Sequence, residues 1–161
     1  MTHKQIYLKE LKRIRKSCKI VLHNVKLISV FGHDSSAYFM AYYDSLTNEI
    51  HIASKQLYKN KIQFLLHEEG HFLCNKSKCK CFKIKNQAKC EFHAEKHCLE
   101  NLLRINNPLL FKAAIETRAL WHSWFKKDPK YYLKYFPGHI MCQRKLKQSP
   151  LWRKVLRKVK K

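Results

Sequence analysis

Acidic side chains are scarce in this chain of 161 residues, which has 11 Asp and Glu against 34 Lys and Arg and a formal net charge of +23. A basic surplus of this size gives the surface a positive potential and favours contact with polyanions. Two interpretations stay open at this point. The protein works on or near nucleic acid, or its lysine-rich composition serves solubility alone.

Glycine and proline are also rare, with 3 and 4 residues. This scarcity argues against a disordered chain or one built mainly from loops. The length fits one domain. We therefore expect an α+β fold, mainly helical with a small sheet and a hairpin, in a single domain at residues 1–143. A basic amphipathic tail at 144–161 should follow, able to contact nucleic acid or another polyanion.

Long hydrophobic runs and a secretory signal are absent as well. The longest apolar stretch, Ala37 to Tyr43, is far shorter than the roughly 20 residues that cross a bilayer. Met1 to Lys19 carries Lys and Arg throughout and has no apolar segment of signal-peptide length. The 7 cysteines are an odd number and cannot all pair within one chain. These features predict a cytoplasmic protein without a transmembrane segment, whose thiols are free or bind metal.

Apolar periodicity and turn-forming residues predict the order of the elements. The hairpin strand Glu49–Ala53 is interpreted as an edge strand that could align an extended substrate. The expected elements are a helix at Gln5–Lys16, one or two strands in Lys19–Phe31, a hairpin of Ala37–Tyr43 and Glu49–Ala53, helices at Lys61–Cys74, Ala88–Ile105 and Leu109–Lys126, and a short helix that opens at Asp128 and Pro129.

The segment His67-Glu-Glu-Gly-His71 carries the strongest chemical signal. Residues four apart project from one face of a helix, so His67 and His71 can both reach one zinc ion. Glu68 lies beside the metal without being forced to bind it. A carboxylate in that position can accept a proton from a water molecule whose pKa zinc has lowered to about 7. This spacing predicts one catalytic zinc ion.

A catalytic zinc ion also needs a third protein ligand and an open fourth position. On the helix that follows, Glu91 and Glu95 fall in a stripe that is otherwise apolar. Buried carboxylates without partners are costly, so a metal ion or a histidine would explain them. His93 and His97 fall toward the polar side and should be more exposed, although His93 stays open as a ligand.

The two segments His67–His71 and Glu91–Glu95 together resemble the glutamate-type zincins. With the compact size and the preceding hairpin, the chain is most similar to the ImmA/IrrE family of metallopeptidases, over roughly Ile28 to Leu103. The resemblance implies a zincin-like minimal metallopeptidase domain that hydrolyses a peptide bond in a protein or peptide substrate. An alternative resemblance is to SprT-like proteases, which have a histidine as third ligand and act on DNA-bound proteins.

By the first resemblance, His67 and His71 are zinc ligands, Glu68 is the general base and Glu91 is the third ligand. Glu95 then orients a ligand histidine through a hydrogen bond. The family usually has an aromatic and a small residue where this chain has His97 and Cys98. This departure leaves the third ligand open among Glu91, His93 and Glu95.

Four cysteines lie between the two helices of the predicted site, and four thiolates can hold a structural zinc ion. Their spacing lacks the paired C-x2-C form, so a second metal is the weaker interpretation and unbound thiols the stronger one. A structural zinc in a non-catalytic, basic nucleic-acid-binding protein is a further alternative function. The four residues are Cys74, Cys79, Cys81 and Cys90.

Overall fold

The computed structural model describes residues 1–26, 28–29, 38–83, 87–130 and 137–159. These form a mostly helical α+β fold with a small mixed sheet, which confirms the predicted class. The short helix expected after Asp128 falls mainly in 131–136, outside the described residues. The elements are α1 (His3–Ile14), β1 (Lys19–His23), β2 (Ile28–Ser29), β3 (Tyr38–Phe39), β4 (Ala41–Asp44), β5 (Glu49–Ala53), α2 (Tyr58–Lys76), α3 (Lys80–Lys83), α4 (Gln87–Ile105), α5 (Pro108–Lys127), α6 (Pro137–Gln148) and α7 (Pro150–Val159).

The main sheet has three strands in the order β1-β5-β4. β5 runs parallel to β1 and antiparallel to β4, so the expected hairpin is present. The interpretation of Glu49–Ala53 as an edge strand is wrong, because β5 is paired on both sides. Parallel pairing with the distant β1 could not be deduced from local alternation of residues. β2 and β3 pair separately as a short antiparallel ribbon.

The core lies between the main sheet and the helices. Ile50 and Ile52 alternate with polar residues along β5 and are fully buried beneath α2, whose Leu65 and Leu66 are also fully buried. The hairpin is held to α2 by polar contacts too. The Asn75 amide donates to the Tyr43 hydroxyl at 2.7 Å, and that ring packs edge-on against Phe72.

A glycine sets the distance between α2 and α4. A Cβ atom added to Gly70 would lie 2.6 Å from the Ala94 Cα atom and 3.2 Å from the His97 Cβ atom. Both are nearly fixed, since one is backbone and the other is the first side-chain atom. The missing side chain therefore lets the two helix backbones approach closely, and this approach brings their polar side chains together.

The C-terminal segment packs on the domain instead of extending from it as a tail. Leu146 on α6 and Trp152 and Val155 on α7 are buried in the main core. The basic residues of α7, such as Arg153 and Lys154, face outward. The predicted amphipathic pattern thus corresponds to one face that packs and one basic face that is exposed. None of the helices within the described ranges is long and apolar enough to span a membrane.

Candidate metal centre

Helices α2 and α4 place three metal-binding side chains in one group. His67 and His71 lie one turn apart on α2, and their rings meet edge to face with centroids 4.9 Å apart. Glu91, from the first half of α4, faces both of them. All three side chains are largely buried, with 11%, 13% and 16% exposure. We call His67, His71 and Glu91 the histidine–glutamate group.

The three donor groups of this site, two imidazole nitrogens and one carboxylate, form a triangle in which one ligand atom from each side chain lies within 4.8 Å of the others. His67 Nε2 lies 3.2 Å from both His71 Nε2 and Glu91 Oε2, and His71 Nε2 lies 3.5 Å from Glu91 Oε1. Ligands about 2.0–2.1 Å from one tetrahedral zinc ion are about 3.3–3.4 Å apart. The nitrogen–nitrogen distance, and the distance from each histidine to the Glu91 oxygen that it contacts, therefore have the length that a zinc ion requires. Two nitrogen donors and a carboxylate suit this metal.

The other nitrogen of His67 is held by a buried carboxylate. His67 Nδ1 lies 3.2 Å from Glu95 Oε1, while the second oxygen of Glu95 accepts hydrogen bonds from the Arg118 guanidinium, at 2.9 Å from its Nε. Arg118 is itself fixed by donating to the Ala114 carbonyl at 2.9 Å. Burial would raise the pKa of Glu95, but the charges of Arg118 and His67 and their hydrogen bonds lower it to about 2.

His71 has a thiol as its outer partner. Its Nδ1 lies 3.3 Å from Cys90 Sγ, and Cys90 precedes the carboxylate ligand candidate Glu91 on α4. Partners at Nδ1 leave Nε2 of both histidines directed at the centre of the triangle. Such contacts fix the ring orientation and tautomer of metal-bound histidines.

The electrostatics of the site favour a cation. Burial would lower the pKa of His67, yet its hydrogen bonds with Glu91 and Glu95 raise that pKa well above the ordinary value. Burial would also lower the pKa of His71. The charge of Glu91 is the main cause that instead raises this pKa to about 10. Protons on the imidazoles thus balance the carboxylates, and a divalent cation can replace those protons.

The two consecutive glutamates of α2 have different surroundings. Glu68 is buried, at 8% exposure, and its charge acts on His67. Glu69 accepts two hydrogen bonds of 2.6 Å from Arg13 on α1 and one of 2.9 Å from His97 on α4. Glu69 therefore links three helices. His97, expected on an exposed face, is instead partly buried by this contact.

Three of the four predicted cysteines lie together near the end of α2, with His93 as their fourth neighbour. Their sulfur atoms and His93 Nδ1 all lie within 4.8 Å of one another. We call Cys74, Cys79, Cys81 and His93 the cysteine–histidine group. Cys90 packs beside these cysteines, but its sulfur contacts His71. The four-cysteine set is thus replaced by three cysteines and a histidine.

This placement also separates the candidates for the third ligand. Glu91 lies in the triangle, Glu95 lies behind His67, and His93 belongs to the other group. The sequence reasoning missed Arg118, although a signal was present. Arg118 follows Phe111 and Ala114 at helical spacing, on the face of α5 that is buried. A lone arginine in such a stripe indicates a buried acidic partner.

The chain was compared with protein-family models, with curated proteins and with solved structures, and none of the three comparisons found a match.

Proposed function

We propose that this protein is a zinc-dependent metallopeptidase with a zincin-like domain, in which the histidine–glutamate group holds one zinc ion. One observation carries the proposal: two imidazole nitrogens from α2 lie 3.2 Å apart, and each lies 3.2–3.5 Å from one of the two oxygens of the Glu91 carboxylate on α4. Each histidine also has a partner at its other nitrogen. Three protein ligands leave a fourth position for water or substrate, as in catalytic zinc sites, whereas structural sites are closed by four protein ligands.

The residues around the triangle supply the remaining parts of a hydrolytic site. When bound, zinc polarises a scissile carbonyl and lowers the pKa of a water molecule to about 7. Glu68 follows His67 directly, and its buried carboxylate accepts the proton of the attacking water and returns it to the leaving amine. Glu95 keeps the His67 ring in place while Arg118 fixes Glu95.

An extended substrate would bind by pairing with the outer strand β4. This strand takes the aligning role that the sequence had assigned to β5. β4 is an outer strand of the described three-stranded sheet, and its Tyr43 contacts α2 through Asn75 and Phe72. Backbone hydrogen bonds along Ala41–Asp44 would align the peptide. The substrate class would therefore be a polypeptide in extended conformation.

The test uses the neighbouring pair Glu68 and Glu69. Glu68→Gln should keep the zinc ion but lose at least about 100-fold in cleavage, because general-base catalysis is removed. Glu69→Gln should keep both zinc and cleavage, and should lower the free energy of unfolding by about 1–2 kcal/mol because it weakens the charged contacts with Arg13 and His97. Zinc is measured by elemental analysis and cleavage by mass spectrometry of a mixed peptide library.

The control is the double variant His67→Ala/His71→Ala, which should lose the zinc ion of this site together with all cleavage. Equal cleavage by the wild type and Glu68→Gln would refute the general-base assignment. A folded wild type that was prepared without chelator and holds no zinc at this site would refute the proposed function as a whole.

A further inference from the structure

The cysteine–histidine group has the composition of a second metal site, separate from the histidine–glutamate group. Cys81 Sγ lies 3.2 Å from Cys74 Sγ and 3.0 Å from Cys79 Sγ. His93 Nδ1 lies 3.7, 3.6 and 3.5 Å from the sulfurs of Cys74, Cys79 and Cys81. Four donors around a tetrahedral zinc ion, with Zn–S about 2.3 Å and Zn–N about 2.0–2.1 Å, are about 3.5–3.8 Å apart.

The sulfur–nitrogen distances match that geometry, and the two sulfur–sulfur distances given above are about 0.6–0.8 Å shorter than it requires. They are nevertheless much longer than a disulfide bond of about 2.0 Å, and all 7 cysteines are unpaired. Cys81 is fully buried and Cys74 is 6% exposed. One imidazole nitrogen equidistant from three sulfur atoms indicates a common centre more than a set of pairwise contacts.

The backbone between the ligands is bent so that the thiols converge. After α2 ends, Lys78 adopts a φ of 54°, a left-handed conformation that lysine rarely takes. The turn returns the chain, so that the Cys79 amide donates to the Cys74 carbonyl at 3.0 Å and Ser77 Oγ donates to the same oxygen at 3.0 Å. A conformation of this kind persists when surrounding interactions hold it.

The connection between α2 and α4 has few apolar side chains that could stabilise its conformation by packing. Residues 75–86 include five lysines, and Phe82 and Ile84 are the large apolar residues among them. A segment so basic cannot build a hydrophobic core of its own. A tetrahedral zinc ion would therefore act as the centre around which the segment folds.

We propose that Cys74, Cys79, Cys81 and His93 form a closed structural zinc site that fastens the α2–α4 connection. The site joins the last turn of α2 to the first half of α4. Cys74 lies three residues after His71, and His93 lies two residues after Glu91, so the same two helices carry both groups. Four protein ligands leave no position for a substrate, so this zinc ion would be structural whether or not the protein is a peptidase.

The test counts zinc and identifies the ligands by variants of the full chain. In the His67→Ala/His71→Ala background, one zinc ion should remain. Replacing that zinc by Co²⁺ should give the near-ultraviolet charge-transfer absorption that thiolate ligands produce. Cys79→Ser/Cys81→Ser added to that background should remove both the metal and the absorption. A folded His67→Ala/His71→Ala protein that contains no zinc, or cysteines that are oxidised to a disulfide as purified, would overturn the proposal.

The fourth ligand is tested separately, with single substitutions at His93 and at its neighbour Cys90. His93→Ala should lose the thiolate-bound metal, whereas His93→Cys should retain it, because a thiolate can occupy the same vertex. Cys90→Ser should retain it as well. Loss of the metal from Cys90→Ser and not from His93→Ala would assign the vertex to Cys90 and refute the ligand set. Because each variant is measured by metal content, failure of the peptidase proposal leaves this result unaffected.

Discussion

The two donor groups on α2 and α4 differ in how their geometry is maintained. In the histidine–glutamate group, each histidine has a hydrogen-bond partner behind it, and Glu95 and Arg118 extend that support to α5. In the cysteine–histidine group, the donors come partly from a short basic connection, and the described contacts are mainly those of the donors with one another. The first group is thus preorganised by the fold, whereas the proposed metal ion would organise the second.

The difference in support agrees with the number of donors in each group, which is three in the histidine–glutamate group and four in the cysteine–histidine group. Three donors supported from behind can keep their positions while a fourth position exchanges water and substrate. Four donors, two of which lie in a lysine-rich connection, would gain their order from the proposed metal ion. One close helix crossing therefore carries two candidate metal sites of opposite character. The predictions below separate the two sites, beginning with a change that should damage both.

The largest effect on metal content is expected from Gly70→Ala, because it should damage both sites. The added Cβ would lie 2.6 Å from Ala94 Cα, so α2 and α4 must move apart. Overpacking of this kind costs about 1–3 kcal/mol, and the displacement would enlarge the donor triangle as well. We expect the zinc content of both sites to fall, together with a lower Tm. Elemental analysis and thermal unfolding measure the two effects.

Leu73→Ala is the matched control on the same helix, because the Leu73 side chain is 39% exposed and alanine favours a helix. This variant should keep both zinc ions. If Gly70→Ala also keeps both with an unchanged Tm, the close crossing does not determine the metal sites.

A more selective effect on the metal sites, confined to the histidine–glutamate group, is expected from Arg118→Met. Arg118 is 4% exposed and pairs with the buried Glu95, so its removal leaves a carboxylate without its main counter-charge. Breaking such a pair costs about 3–5 kcal/mol. Because a zinc ion at the histidine–glutamate group would compensate part of the Glu95 charge, adding zinc should raise the Tm more in this variant than in the wild type. The thiolate-bound zinc should not change.

Arg104→Met provides the comparison for this prediction. Arg104 pairs with the buried Glu10, but its own side chain is 50% exposed and Arg13 also contacts Glu10. The loss of stability should therefore be smaller than for Arg118→Met, with no added response to zinc. Equal Tm values for both variants, with and without zinc, would show that Arg118 does not support the metal site.

Much of the candidate site could be predicted because its geometry is local. Residues four apart on one helix must share a face, so His67 and His71 followed from spacing alone. The apolar stripe of α4 likewise placed Glu91 and Glu95 on one inner face. The α+β class and the hairpin followed from alternation and turn residues over short stretches. In each case the relevant interactions lie within one element or between adjacent elements.

The features that sequence reasoning missed depend on contacts between distant segments. β5 is central because β1, thirty residues earlier in register, pairs along its other side. Arg118 reaches Glu95 from a different helix, and its role appears only when α5 is packed on α4. The replacement of Cys90 by His93 in the cysteine group depends on the rotation of α4, because residues three apart on a helix differ in direction by about 60°. Spacing alone did not resolve that rotation.

Cys90 gives the smallest effect, and it distinguishes the two sites most sharply, because it packs beside the cysteine–histidine group but contacts His71. We expect Cys90→Ala to weaken zinc binding at the histidine–glutamate group by about 10-fold, since His71 loses the partner at Nδ1. Cys90→Ser should weaken it less, because a hydroxyl can make the same contact. Competitive titration with a chromophoric chelator measures this affinity, while the thiolate absorption of the Co²⁺ form reports on the other site. If Cys90→Ala lowers the thiolate absorption and leaves the first affinity unchanged, Cys90 belongs to the cysteine–histidine group and the two sites are not divided as described.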